Sequence, residues 1–165
     1  MNSIQGMIIP LITPLKEAGE VDVAALKRLC EIQIQSGTQV LFVLGTTGEF
    51  YGLSPQQRRE VVETTVETVN ERIPVIVGVS GDSTTSTLSA LDLARQGGVS
   101  ACVISTPYFL SYTQAELLDY FREIADAVGE PIILYNYPAR YGHVIEVDTI
   151  ETLVKEGRVF GIKDT

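Results

Sequence analysis

The sequence predicts an α/β fold with a parallel sheet, and three of its features point to this class. Six apolar runs recur at an interval of roughly 30 residues, the length of a strand plus a crossover helix. Each run is apolar on successive residues, as expected of a strand that is covered on both faces. Segments with helical periodicity lie between the runs. Six strands alternating with five helices fit an open doubly wound sheet or a (β/α)8 barrel, and composition leaves both open.

The strands are predicted where β-branched and other apolar residues cluster. They cover residues 7–13, 40–44, 74–79, 101–106, 131–135 and 159–162. Two of the helices have recognisable starts. Ser54 precedes a proline at the first helical position, with Gln57 placed to reach back to the cap, and Thr113 stands in the same relation to Glu116. The other helices are predicted over residues 22–35, 83–96 and 146–155.

The length and composition predict one domain. A chain of 165 residues with 45% hydrophobic residues is long enough to bury a sizeable core, and no linker or second domain is visible. A barrel needs eight strands, and this sequence halts after the sixth. Under the barrel interpretation we therefore expect a single incomplete domain over residues 1–165, with strands 1 to 6 and helices 1 to 5. Both edges of such a sheet would be apolar and prone to pair with other chains.

The charge balance excludes several classes of partner. Twelve basic and twenty-one acidic residues give a net charge of -9, which works against binding to nucleic acid or to anionic membranes. The apolar runs are shorter than the roughly 20 residues of a membrane-spanning helix, and the amino terminus lacks the features of a signal peptide. We expect a cytoplasmic protein.

Cysteine and histidine usage argues against metal and triad chemistry. Cys30 and Cys102 lie in apolar surroundings without metal-type spacing, so we interpret them as reduced core thiols, although a disulfide stays open. His143 is the only histidine. Sites built from several histidines, and triads that need one, are close to excluded, and His143 itself is predicted to be a loop side chain.

Candidate functional residues follow the strands, because ligands of parallel α/β folds bind at the carboxyl ends of the strands. The motif GTTGE at residues 45–49 combines small residues with two hydroxyls, Thr46 and Thr47, and fits a carboxylate or phosphate site or a plain tight turn. Tyr135 ends the fifth strand and offers a phenol for proton exchange or a structural hydrogen bond. Arg140 follows in a loop and could clamp a carboxylate, or stand solvated.

Lys163 at the end of the sixth strand is the sharpest candidate. Side chains alternate across a strand, so Lys163 faces the barrel axis if Ile162 faces the helices. An amine in such an interior loses hydration, which favours the neutral form that attacks carbonyl carbons. A solvated loop lysine is the other interpretation.

Three motifs together resemble one known family. GTTGE, YNYPAR and GIKDT, in this order at strands two, five and six, resemble the dihydrodipicolinate synthase and N-acetylneuraminate lyase family of pyruvate-linked Schiff-base enzymes. The resemblance extends over the whole chain. It implies a (β/α)8 barrel, of which this chain covers the first six strands. It also implies pyruvate or another 2-oxo acid as substrate, no cofactor, and a homo-oligomer, commonly a tetramer.

The resemblance also implies a role for each matching residue. Lys163 would form the imine with the keto carbon. Tyr135 would shuttle protons at the reacting centre, and Thr46 would relay them. Thr47 and the neighbouring Gly48 amide would hold the carboxylate. Arg140 matches the position that binds the carboxylate of the second substrate in synthase members.

One departure affects the choice of substrate. Synthase members usually carry two tyrosines after the fourth strand, whereas this chain has Tyr108 and Phe109, and a phenylalanine cannot pass a proton. The sequence here looks more like the 2-keto-3-deoxy sugar-acid aldolases of the family, while Arg140 favours the synthases. We expect a class I aldolase or lyase acting on a 2-keto-3-deoxy acid. The alternatives are a 4-hydroxy-tetrahydrodipicolinate synthase, which condenses pyruvate with aspartate semialdehyde, and an inactive truncated piece that associates with copies of itself.

Overall fold

A computed structural model describes residues 4–93, 95, 97–129 and 131–165. The chain forms two compact units. The first runs to Gly78 and includes Leu93–Ser100, and the second comprises Val79–Asp92 and Ala101–Thr165. The expectation of one domain over residues 1–165 stays a prediction.

The first unit carries three parallel strands. Its elements are β1 (Ile8–Pro10), α1 (Val23–Gln35), β2 (Val40–Val43), α2 (Pro55–Val69) and β3 (Val75–Gly78). β2 pairs in parallel with β1 and with β3, and all four of its residues are buried. β1 is shorter than the predicted run over residues 7–13, although the Leu11 amide, just beyond it, still donates to the Phe42 carbonyl at 2.8 Å.

The second unit holds three of the six candidate residues, Tyr135, Arg140 and Lys163. Its elements are α3 (Thr84–Ala90), β4 (Val99–Ser105, whose first two residues belong to the first unit), α4 (Gln114–Val128), β5 (Ile132–Asn136), α5 (Pro138–Tyr141), α6 (Val147–Lys155) and β6 (Val159–Asp164). β5 pairs in parallel with β4 and with β6. The register places Ser105 beside Tyr135 and Tyr135 beside Lys163, so the carboxyl ends of three strands lie side by side.

The helices α2 and α4 begin at the predicted caps. The Ser54 hydroxyl accepts from the Gln57 amide while the Gln57 side chain accepts from the Ser54 amide, and Thr113 and Glu116 repeat this arrangement. Both predicted capping boxes are confirmed. The apolar stripe of α4 is buried, which packs this helix on the sheet.

The helix predicted over residues 83–96 is shorter than expected. α3 ends at Ala90 and a 3-10 turn follows at Leu91–Leu93, while positions 94 and 96 lie outside the described residues. Its sequence is rich in serine and threonine, whose side chains compete with the helix backbone for hydrogen bonds. The four-residue helix α5 is an addition that the sequence pattern did not predict.

Burial agrees with the other predictions for the core. Cys30 and Cys102 are both buried and neither forms a disulfide, as predicted, and burial raises the pKa of the Cys30 thiol above its ordinary value. In the portion of the chain that is described, no helix is both long and apolar enough to cross a membrane.

Candidate functional site

Lys163 and Tyr135 form the centre of the candidate site. They are register partners on β6 and β5, so their side chains project to the same side of the sheet. The Lys163 Nζ lies 4.1 Å from the centroid of the Tyr135 ring and donates to the Thr165 hydroxyl at 2.6 Å. Tyr135 is buried, at 6% exposure, and Lys163 is half-buried. Lys163 therefore lies near the end of β6 with its amine over the Tyr135 ring, whose face attracts a cationic Nζ. The roles predicted for Lys163 and Tyr135 stay predictions.

An aromatic cluster surrounds Tyr135. Its ring centroid lies 5.6 Å from that of Tyr141 and 6.0 Å from that of Tyr137, and the Tyr141 ring is also 6.1 Å from that of Tyr108. Ring contacts of this kind stabilise the fold by more than the burial of their apolar surface alone. They hold the Tyr135 ring in one orientation under the amine. Sequence analysis did not single out Tyr137 and Tyr141, although three tyrosines within seven residues were a usable signal.

Asn136 joins the ends of β5 and β6. Its side-chain N–H donates to Asp164 Oδ1 at 2.8 Å, and its side-chain oxygen accepts from the Ile145 amide at 3.0 Å. Its backbone carbonyl accepts from the Thr165 amide at 3.0 Å. Sequence analysis missed this residue, because its partners lie 9 and 28 positions away in the chain.

The loop after β5 carries Arg140 and His143. Arg140 lies on α5 and is exposed, and its role in binding a carboxylate stays a prediction. His143 is half-buried and has a definite structural role. Its Nε2 accepts from the Tyr112 amide at 3.0 Å, so the proton resides on Nδ1, which donates to the Tyr141 carbonyl at 3.0 Å. His143 thereby ties the loop after β4 to the loop after β5.

The residues after β4 differ in their surroundings. Tyr108 packs near Tyr141, whereas Phe109 is 82% exposed.

In the first unit, GTTGE forms a tight turn after β2. The Gly48 amide donates to the Gly45 carbonyl at 3.0 Å, and the buried Thr13 hydroxyl donates to the Gly48 carbonyl at 2.7 Å. A Cβ on Gly48 would lie 3.0 Å from the Leu11 carbonyl oxygen, so close backbone packing accounts for this glycine. Thr46 is half-buried and Thr47 is exposed. The roles predicted for Thr46, Thr47 and Gly48 in binding and proton relay stay predictions.

The chemistry that this arrangement offers is that of an amine beside a phenol. Among the residues that the structure describes, no three His, Cys, Asp or Glu side chains are grouped to hold a metal ion. A primary amine in a half-buried site can add to a ketone carbon, and a phenol is a suitable proton carrier for the water that leaves.

Comparison with known proteins gives one family. The model of the "Dihydrodipicolinate synthetase family" matches residues 3–165. The 4-hydroxy-tetrahydrodipicolinate synthase of Acidiphilium cryptum is 39% identical over 159 residues, which is 96% of this chain and 54% of that protein. The enzyme of the same name from Pseudomonas aeruginosa is 37% identical over 98% of this chain and 55% of its own length. The chain thus spans about half the length of these curated relatives.

Solved structures agree with this result. The dihydrodipicolinate synthase of Acinetobacter baumannii, complexed with pyruvate, superposes with a TM-score of 0.94 at 36% identity and covers 99% of this chain and 56% of its own. The protein YagE of Escherichia coli, a member of the same family also complexed with pyruvate, gives a TM-score of 0.92 at 31% identity, over 98% of this chain and 54% of its own. The predicted fold class, six strands and their helices of a (β/α)8 barrel, is confirmed by this agreement.

Proposed function

Because the chain belongs to the dihydrodipicolinate synthetase family, we propose that it makes or breaks a carbon–carbon bond between pyruvate and an aldehyde through an imine on Lys163. The observation that carries the proposal is the placement of the Lys163 Nζ, 4.1 Å from the Tyr135 ring centroid at the paired ends of β5 and β6. The two neighbouring structures with bound pyruvate support the choice of keto acid.

The reaction starts with addition of the neutral Lys163 amine to the keto carbon of pyruvate. The keto oxygen then leaves as water, which takes one proton from the nitrogen and one from the medium, and a protonated imine remains. This cation withdraws electrons, so a proton leaves carbon three and an enamine forms. The enamine carbon then attacks the aldehyde, and hydrolysis of the new imine releases the product and restores the amine. Cleavage follows the same steps in reverse.

Tyr135 contributes in two ways to this proposal. Its ring face attracts the cationic forms of Nζ, the ammonium and the protonated imine, and so keeps the reacting nitrogen in place. Its hydroxyl is the proposed carrier of two protons: one that is delivered to the departing water and one that is removed from carbon three. Arg140, exposed on α5, is the proposed group for a carboxylate on the second substrate.

The roles of the GTTGE turn rest on the family resemblance. Thr46 is proposed to relay protons, and Thr47 to bind the carboxylate of the keto acid. The Gly48 amide already donates within the turn, so its part in binding requires a shared hydrogen bond. Substitution of Thr47 by valine, which keeps the shape and removes the hydroxyl, tests the carboxylate assignment through the pyruvate concentration needed for half-saturation.

The second substrate separates two versions of the proposal. The names of the curated relatives favour condensation of pyruvate with aspartate semialdehyde. Phe109 favours the aldolase version, because this exposed side chain has no hydroxyl to offer a relay. Release of pyruvate from 2-keto-3-deoxygluconate supports the aldolase version, and consumption of pyruvate only with aspartate semialdehyde supports the synthase version.

Exchange of the pyruvate methyl protons tests the proposal without knowledge of the aldehyde. Enamine formation removes a proton from carbon three, and its return from D2O introduces deuterium, which proton NMR records as loss of the methyl signal. We expect protein-dependent exchange that Lys163→Ala abolishes. Exchange that persists in Lys163→Ala, or exchange no faster than in buffer alone, would contradict the proposal.

A second candidate is an inactive piece that associates with copies of itself. It is favoured by β6, on which Phe160 is 50% exposed and Ile162 is 41% exposed, since apolar side chains on a strand promote association. We expect the isolated 165-residue chain to self-associate and to be weakly active at best. The tetramer that the resemblance implies is a separate prediction, made for a full-length protein. A monodisperse monomer by light scattering with full turnover would refute this candidate.

A further inference from the structure

The lysine-bearing strand β6 takes its register from a single described partner strand. Among the strands that the structure describes, β6 pairs with β5 alone. Its register also shifts, since Val159 pairs with Ile132 but Gly161 pairs with Ile133. A shift of one residue would turn Lys163 to the opposite face of the sheet. The position of the amine therefore depends on the regular part of the ladder, from Gly161 onward, and on the contacts at its end.

Asn136 supplies those contacts at the carboxyl ends of the strands. It is 8% exposed, and its hydrogen bonds to Asp164 and to the Thr165 amide engage the two residues that follow Lys163. Its remaining side-chain bond, to the Ile145 amide, fixes the end of the loop that carries Arg140. One side chain thus connects the strand of the amine with the loop after β5.

We propose that Asn136 is a positioning residue, which holds the Lys163 amine over the Tyr135 ring by pinning the register of β6 through Asp164. The inference rests on the proposed function, because it assigns the reacting nitrogen to Lys163. An amide is required here, since one end must donate to a carboxylate while the other accepts from an N–H. Aspartate has almost the same shape, but when ionised it only accepts, and it repels Asp164.

Interchange of the Asn136 and Asp164 side chains tests the proposal. In the single variant Asn136→Asp, two carboxylates face each other and the link is lost. In the double variant Asn136→Asp with Asp164→Asn, the amide donates in the opposite direction and the carboxylate still accepts from the Ile145 amide. Asp164→Ala breaks the link from an exposed position, which keeps the test valid if Asn136→Asp does not fold.

The measurement is the rate at which pyruvate and borohydride modify Lys163, followed by mass spectrometry against pyruvate concentration. We expect at least about a tenfold lower rate in Asn136→Asp and in Asp164→Ala, because displacement of a reacting group by about 1 Å costs rate steeply. The double variant should return to within about threefold of the wild-type rate. Val62→Ala, in the buried face of α2 in the first unit, controls for general loss of stability and should leave the rate unchanged.

The outcomes separate the two ideas. No adduct on wild-type Lys163 overturns the proposed function, and the positioning inference with it. An adduct that forms at the wild-type rate in Asn136→Asp or in Asp164→Ala overturns the inference alone, as does a double variant as slow as the single one. A slow single variant with a restored double variant supports the inference, since a merely destabilised protein would not recover when a second residue is changed.

Discussion

Replacement of Tyr135 by phenylalanine removes one hydroxyl and leaves the ring in place. The contact of the ring with the Lys163 Nζ at 4.1 Å remains, and so do the contacts with the Tyr137 and Tyr141 rings. Because these ring contacts persist, we expect the variant to fold, and a urea titration gives the contribution of the hydroxyl to the free energy of unfolding. The rate loss then reports the hydroxyl alone. A positioned proton carrier contributes about 10²- to 10⁴-fold, which is about 3–5 kcal/mol in the barrier.

The assay is exchange of the pyruvate methyl protons in D2O. We expect Tyr135→Phe to slow exchange at least about 100-fold at saturating pyruvate, because the step that moves the proton loses its carrier. Tyr137→Phe is the matched control: it makes the same chemical change in the neighbouring ring and should leave the exchange rate within about twofold of wild type. An exchange rate in Tyr135→Phe within about threefold of wild type would refute the assignment of the phenol as proton carrier.

Two further predictions concern stability. Tyr120→Phe should lower the free energy of unfolding by about 2 kcal/mol in urea titrations, because the Thr87 hydroxyl and the Ser105 carbonyl, at 3.0 and 3.2 Å from the Tyr120 hydroxyl, lose a partner in the core. The hydrogen bonds from the Thr113 amide and hydroxyl lower the pKa of Glu116 below its ordinary value of 4.5. The ionised Glu116 carboxylate therefore contributes to the free energy of unfolding above pH 4.5, and this contribution disappears as the pH falls through the lowered pKa. Glu116→Gln should flatten this acid dependence, measured as the urea midpoint between about pH 6 and pH 3.

Each of these predictions has a control. Thr87→Val leaves the bond from Tyr120 to the Ser105 carbonyl, so it should cost less than Tyr120→Phe, and the double variant should cost less than the sum of the two. A change below about 0.5 kcal/mol in Tyr120→Phe would contradict the hydrogen-bond argument. Glu116→Gln keeps an oxygen that accepts from Thr113, so the capping box persists at neutral pH. Identical acid dependence in wild type and Glu116→Gln would contradict the assignment to this carboxyl.

The fold was predictable where its causes are local. Strands with apolar residues on both faces and helices with capping boxes are encoded within a few residues, which is why the helix starts at Ser54 and Thr113 and the strand over residues 131–135 were found. α3 was predicted too long, because the chain passes into a 3-10 turn at Leu91–Leu93, which the apolar pattern did not reveal. The helix α5 spans only four residues, too few for periodicity to reveal.

The candidate site was predictable in its chemical groups and not in its supports. Lys163 and Tyr135 could be found because each ends a recognisable strand. The links made by Asn136 and His143 join residues that are distant in sequence, so no local pattern indicates them. His143 lies in a loop, as predicted, but the sequence did not indicate that both of its ring nitrogens form hydrogen bonds there.

The most direct measurement identifies the lysine that carries the three-carbon group from pyruvate after reduction with borohydride. The chain has four lysines, Lys16, Lys27, Lys155 and Lys163, and peptide mass spectrometry distinguishes them. We predict that the three-carbon adduct resides on Lys163 and is absent from Lys155, an exposed lysine paired with Glu151 that reports unspecific reaction. An adduct spread evenly over the four lysines, or confined to any lysine other than Lys163, would contradict the account.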